Sequence, residues 1–576
     1  MVPSMAEHEV VIRNGTVVDG TGAPPRRSDV ALARGVVTHV GVVDGVGQRE
    51  IDADGLLVTP GFVDVHTHYD GQATWDNRLA PSSWHGVTTV ITGNCGVGFA
   101  PVFEHHRQRL IELMEGVEDI PGTALHEGLQ WNWTTFGEFL DAVDAKPHDI
   151  DLGCQIPHNA LRLHVMGERG ADHEVRASAD DIAAMGVLVA QAVRDGAMGF
   201  STSRTRNHRS SKGEFIPSLT AAREELVGIA AALNGVGGVL QVVSDFAPDV
   251  DDELETLRQM VAVSGRPLSM SLLQAVPGEG YLRLLRGLEA MEADGHEVRA
   301  QVAARAVGVL VGLQATMSPF ARCASFAEVA DSPLAERVRL LSEPERRARI
   351  LAEHDARPPS MFASTHGYAR LFPLGDPPDY EPAAHHSVAA RAVALGCTAV
   401  ELAYDMHLSD EGTALLYIPV LNYGDGNLDA ARRMLTHPLA IPGLSDGGAH
   451  VGTICDASFP TTLLTHWCRD RSRGDLLDVS FVVHAQCRRT AQAVGLHDRG
   501  LLAPGYRADI NIIDFEALTL HPPRIAHDLP AQGRRLLQRV DGYRHTFVAG
   551  VETYTDGQPT GALPGRLVRG AQPSPV

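Results

Sequence analysis

The sequence lacks a CxxC pair, lacks a long uninterrupted apolar run and lacks any excess of positive charge. Its seven cysteines (Cys95, Cys154, Cys323, Cys397, Cys455, Cys468 and Cys487) are odd in number and widely spaced. That pattern excludes a disulfide framework and fits a reducing, cytoplasmic setting. Residues 1–9 carry neither a basic segment nor an apolar one, so no secretory signal is expected. The stretch 227–243 is fairly apolar, but Asn234, Gly235, Gly237 and Gly238 interrupt it. It reads as a helix, a turn and a buried strand rather than a membrane span, which needs about 20 apolar residues. A net charge of -22 argues against nucleic acid or an anionic membrane as a partner. A small-molecule substrate remains, and nothing bars a homo-oligomer.

What is present is ordinary globular composition, 44% hydrophobic and 21% charged, in 576 residues. That length suits one large domain plus a smaller one. Residues 9–58 read as short strands, with Asn14-Gly15 predicted as a hairpin turn between residues 10–12 and Val17-Val18. Residues 508–514 and 545–551 read the same way. Two strand-rich ends around a long middle predict one small β-sandwich built from residues 1–58 and 500–560. The middle, residues 59–499, alternates short apolar strands with helical patterns. Strands are expected at 150–156, 197–201, 239–243, 268–273, 303–314, 360–363 and 398–402. Helices are expected at 178–195, with Ser178 as N-cap, and at 221–233 and 251–263. Repeated units of this kind imply parallel strands, and the length suits a (β/α)8 TIM-type barrel in an α/β fold. A helical excursion is expected near 333–357. Residues 561–576 form a tail, expected to be disordered from Ala571.

The richest local pattern is His66-Thr67-His68, at the end of the apolar run 56–65. Side chains at i and i+2 on a strand share a face, so both imidazoles can reach one metal ion. Asp64 and Asp70 flank the pair and can serve as outer hydrogen-bond acceptors. A second buried strand, residues 86–92, leads to Gly93-Asn94-Cys95-Gly96. A buried cysteine is often inert, but a thiol at a strand end also suits zinc. Ser445-Asp446-Gly447-Gly448 follows another apolar stretch. Asp446 reads either as a turn aspartate or as a metal ligand and proton shuttle, facing His66 and His68 across a closed barrel. His450 either contacts substrate or caps a helix.

These motifs also carry a family resemblance. The run from Pro60 to Asp70 resembles the first barrel strand of the amidohydrolase superfamily. Gly86-Val87-Thr88-Thr89-Val90 with Gly93-Asn94-Cys95-Gly96, Gly196-Ala197-Met198-Gly199-Phe200-Ser201-Thr202, Ser445-Asp446-Gly447 and the segment 499–509 resemble the N-acyl-D-amino-acid deacylase (D-aminoacylase) family. The resemblance spans roughly the whole chain. It implies zinc, with His66, His68, Cys95 and Asp446 as the metal-binding set, and hydrolysis of an amide. In that family two successive middle strands each carry a metal-binding histidine, and the second also supplies a lysine for the substrate carboxylate. The matching positions here are Val243, Leu272 and Gln274, and neither strand contains a histidine.

The expectation is therefore a hydrolase of carbon–nitrogen bonds with at most one zinc ion and Asp446 as catalytic base and acid. The substrate would be an N-acyl-D-amino acid or a related small amide. A different or cyclic amide, or a metal-free homologue with a binding role, stands as the alternative. His158, Arg204, His208 and His450 are the candidate substrate contacts. Arg204 and His208 share a basic loop that could replace the missing lysine, although either alone also reads as solvated surface. His366 and the pair His385-His386 are further candidate ligands.

Overall fold

The computed structural model describes residues 8–356 and 367–576. Eight parallel strands form one sheet: Phe62–Asp64, Val87–Thr92, Asp151–Pro157, Gly199–Arg204, Val239–Ser244, Leu268–Ser271, Val298–Val302 and Ala440–Pro442. They neighbour one another in that order. Just past their carboxyl ends the last and first strands meet. Thr67 bridges to Gly447, and His68 N–H donates to the Gly447 carbonyl at 2.7 Å. The sheet is a nearly closed (β/α)8 barrel, as its alternating pattern predicts.

Side-chain alternation divides each strand between two environments. Leu240, Val242, Leu268, Met270, Leu272, Ala300 and Val302 belong to the main apolar core under the helices. The opposite face carries Gln155, Ser201, Gln241, Ser269, Ser271 and Gln301, all buried. Several of these bond across the barrel to the loops after the first two strands, so this face is the interior. The helices follow their local signals. Ala179–Asp195 begins at Ser178, which exchanges hydrogen bonds with Asp181 in a capping box, and stops at Gly196 with φ 118°.

The two ends of the chain share one nine-stranded sheet. His8–Val17 pairs with Arg26–Ala33 along one edge and divides its other edge between Gly47–Asp52 and Leu57–Pro60. The sheet therefore forks around Ile12, Val30, Val58, Ile510, Ile512 and Phe547. Ile510–Ile513 joins the C-terminal strands to Leu57–Pro60.

Several expectations need correction. Asn14-Gly15 is a bulge inside one strand, not a hairpin turn: the register slips between Ile12 and Gly15, and Asn14 bonds to Asp29 and Asp52 of neighbouring strands. Within 303–314 the strand Val307–Val311 leaves the barrel and pairs antiparallel with Leu416–Leu421. The seventh barrel strand is instead Val298–Val302, whose interior Arg299 and Gln301 broke the apolar run. Residues 398–402 open a helix, Ala399–His407, because Thr398 and Glu401 form a capping box. The expected strand at 360–363 lies outside the described residues. The tail is ordered: Val568 N–H donates to the Leu152 carbonyl at 2.7 Å, and Gln572 bonds to Gly495 and His497.

Between the seventh and eighth barrel strands sits a long insertion. It holds the small sheet of Val307–Val311, Phe372–Pro373 and Leu416–Leu421 and a separate core around Phe320, Leu341, Ile350 and Tyr404. Its helices Leu334–Leu341 and Pro344–Asp355 occupy the expected excursion. No helix of the described residues is long and apolar enough to cross a membrane.

Candidate metal centre

His66 and His68 lie just beyond the first barrel strand, on an extended segment held on both sides. Thr67 N–H donates to Ile91, and His68 N–H to Gly447. Cys95 ends the turn after the second strand, and Asp446 ends the turn after the last. Among the described residues, His66, His68 and Cys95 form the group of three metal-binding side chains whose ligand atoms lie within 4.8 Å of one another. His66 Nε2 is 3.2 Å from Cys95 Sγ and 3.4 Å from Asp446 Oδ1. His68 Nε2 is 3.7 Å from the same Asp446 oxygen. Tetrahedral zinc at 2.0–2.3 Å from its donors places them about 3.3–3.8 Å apart, so the observed spacings suit one ion.

The backbone here is unusual. Cys95, Asp446 and His450 are non-glycine residues at positive φ, 56°, 47° and 51°. Such conformations are costly and persist where the surroundings impose them, often at functional sites. Gly448 permits the turn: a Cβ there would sit 3.0 Å from the His68 carbonyl oxygen.

The ring orientations are set from behind. His66 Nδ1 donates to Gln301 Oε1 at 2.6 Å, and Gln301 Nε2 in turn donates to Ser269. That leaves His66 Nε2 for an ion. His68 Nδ1 faces Glu118 Oε1 at 3.4 Å, so its Nε2 also points to the centre. Neither nitrogen of His68 has a hydrogen-bond partner, although the side chain is only 1% exposed. A buried polar group without a partner calls for one, and an ion beside Nε2 supplies it. The donor set of imidazoles, thiol and carboxylate fits zinc.

For the two imidazoles the electrostatics agree. Burial holds the His66 imidazole below its usual range and pushes His68 down to about 4, against the pull of Asp446 in both cases. Both rings are thus neutral at pH 7, as ligands must be. Burial, then Glu118 and Asp446, push the Cys95 thiol well up. Burial and Asp446 likewise raise the Glu118 carboxyl. Asp446 goes the other way: burial opposes its charge, but His68, His66 and His450, whose pull acts when they carry protons, outweigh burial and lower its carboxyl.

The remaining candidates divide. His450 lies at the centre, 3.7 Å from Asp446 Oδ2 and 3.7 Å from Glu118 Oε2. His208 is close enough for His450 and His68 to depress it, after burial, to about 3, and it is held by Ser203 at 2.9 Å. His158 is not a substrate contact: it is fully buried between Thr202 at 2.8 Å and Glu225 at 3.0 Å. Arg204 is likewise spent, on Glu253 and the Ala221 carbonyl. His385 and His386 meet edge to face on an exposed turn, and His366 lies outside the described residues. Leu272 faces the helices, and the neighbouring interior residue is Ser271. Gln274 bonds to Asp425 and Gly278 and is not free.

Glu118 escaped the sequence reading, although a signal existed. It continues the buried positions Ile111 and Met114 of the helix Arg107–Glu118, where a carboxylate does not belong without a partner. Gln241 and Gln301 escaped for lack of any motif.

A parallel barrel with imidazoles, a thiol and a carboxylate at its strand carboxyl ends is an arrangement that metal-dependent hydrolases use. A family model described as the amidohydrolase family matches residues 49–559, and the chain belongs to that family. It is 31% identical to a D-aminoacylase of Alcaligenes xylosoxydans xylosoxydans over 233 residues, 40% of this chain and 43% of that one. In that match the chain spans less than half the relative's length. An N-acyl-D-glutamate deacylase from the same organism is 26% identical over 574 residues, 97% of this chain and 96% of that one. Among solved structures, a D-aminoacylase aligns with a TM-score of 0.65 at 23% identity, covering 98% of this chain and 100% of that one. An N-acyl-D-glutamate deacylase of Bordetella bronchiseptica, complexed with zinc and a phosphonate inhibitor, gives 0.63 at 22%, covering 98% and 99%. These likenesses bear on the fold.

Proposed function

We propose that this chain hydrolyses the amide bond of an N-acyl-D-amino acid or a related small amide, with one zinc ion held by His66, His68, Cys95 and Asp446. The carrying observation is the four-donor cluster at the barrel mouth, with His68 buried and unpartnered. When bound, the ion supplies Lewis acidity toward a carbonyl oxygen and toward water. The side chains supply the rest. Gln301 and Glu118 fix the two rings. Asp446, ionised and 17% exposed, takes a proton from the attacking water and returns it to the leaving nitrogen. His450 stands beside the second carboxylate oxygen of Asp446 and steadies it between those transfers. One ion rather than two is supported by the interior of the fifth and sixth strands, where glutamine and serine stand instead of histidines.

The test is amine release by the zinc-loaded protein from matched N-acetyl-D- and N-acetyl-L-amino acids and from cyclic amides. Zinc-dependent turnover of the D series is expected. Inactivity on every amide with zinc bound would refute the assignment.

A further inference from the structure

The barrel interior holds buried polar atoms that the metal centre does not use. Gln241 is 1% exposed and Ser271 6%. Gln241 Nε2 and Ser271 Oγ have no hydrogen-bond partner. The Gln241 amide cannot simply be turned round. Its Oε1 accepts the Cys95 backbone N–H at 3.1 Å, and only an oxygen can accept there. Nε2 therefore stands beside the Cys95 turn, buried, with two protons to give.

Register brings the two groups together. Gln241 pairs with Ser269, and Ser271 with Gln301, which holds His66. Ser271 is thus one inward step nearer the mouth on the adjacent strand, about 4.8 Å across. The long side chain of Gln241 climbs to the level of the short one of Ser271. Gln241 thus touches the Cys95 turn, and Ser271 lies beside the Gln301 that holds His66.

We propose that Gln241 Nε2 and Ser271 Oγ together receive the carbonyl oxygen of the scissile amide. They hold it most strongly when it becomes an oxyanion. As the water oxygen bonds to the carbonyl carbon, the π pair moves onto the oxygen between these donors. When the C–N bond breaks, that pair returns and the nitrogen leaves with the proton carried by Asp446. Buried donors fixed in place beforehand bind the transition state better than the substrate. The inference rests on the amide-hydrolase reading above.

Ser271→Ala is the sharpest test, because the hydroxyl has no partner to lose. Its removal relieves a buried polar group and should leave thermal stability equal or higher. Gln241→Glu keeps the acceptor for Cys95 N–H and removes the donor. Each variant is expected to retain its zinc. Each should lose kcat/KM on the order of 10²–10³, mostly in kcat. Affinity for a phosphonamidate analogue of N-acetyl-D-glutamate should fall in parallel, read by calorimetry. Unchanged kcat and unchanged analogue affinity in both variants, with an active wild type, would overturn this inference and leave the proposed function standing. A zinc-loaded wild type that neither turns over any amide nor binds the analogue would overturn both.

Discussion

Asp446 carries the heaviest chemical load of any single residue, because the same carboxylate faces His66, His68 and His450. Asp446→Asn keeps an oxygen for the ion but cannot take a proton. It should hold zinc and lose roughly 10²–10⁴ in turnover, the scale of general acid–base catalysis, and a turnover number equal to wild type would remove Asp446 from the mechanism. Glu118 acts one layer further out. Glu118→Ala removes the carboxyl that faces His68 and His450 at 3.4 and 3.7 Å and should weaken zinc binding by about 10–100-fold. Glu118→Gln keeps a polar oxygen facing the two rings and should lose less. A calorimetric zinc titration separates the two, and an alanine variant as tight as wild type would contradict the role. At this scale the sequence was only partly legible. His66, His68, Cys95, Asp446 and His450 could be picked out because strand-end position and residue type coincide. His158 and Arg204 misled because a basic side chain at a strand end looks the same whether it faces substrate or a buried carboxylate. Their partners, Glu225 and Glu253, are 67 and 49 residues away in sequence.

Elements were readable where local signals and burial agreed. The helix Ala179–Asp195 begins where Ser178 predicts, and the strands under helices show as short apolar runs. The interior strand Val298–Val302 was hidden because Arg299 and Gln301 interrupt its pattern, a consequence of a polar barrel interior. The capping box of Ala399–His407 was visible but outweighed by the apolar run around it. This helix carries a pH-dependent feature of its own. His407 is buried, with Nδ1 on the Ala403 carbonyl at 2.7 Å, and burial pushes it down to about 4. Between pH 6.5 and 4 the unfolded chain binds a proton that the folded chain refuses. The contribution of His407 to stability is therefore full above pH 6.5 and is lost as pH falls toward 4. Its slope is at most one proton, about 1.4 kcal/mol per pH unit. His407→Gln should flatten the fall in the insertion's thermal midpoint between pH 7 and 5, and an unchanged slope would show that His407 is already protonated in the fold.

At the scale of the whole molecule, the chain ends dock where the barrel strands begin, at Leu57–Pro60 and Leu152, while the metal donors come from the far ends of its first, second and last strands. Closure of the barrel brings Asp446, some 380 residues downstream, beside His66. Length and alternation predicted that closure, but the insertion's separate core and the docking of the tail at Leu152 were not legible, since both depend on partners far away in sequence. The central claim is a single zinc centre built by His66, His68, Cys95 and Asp446. Zinc per chain, measured by plasma emission on zinc-replete, gel-filtered wild type and on the His66→Ala/His68→Ala double variant, tests it directly. The account predicts one zinc in the wild type and none in the folded double variant. Two fully occupied ions in the wild type, or full occupancy in the double variant, would contradict it.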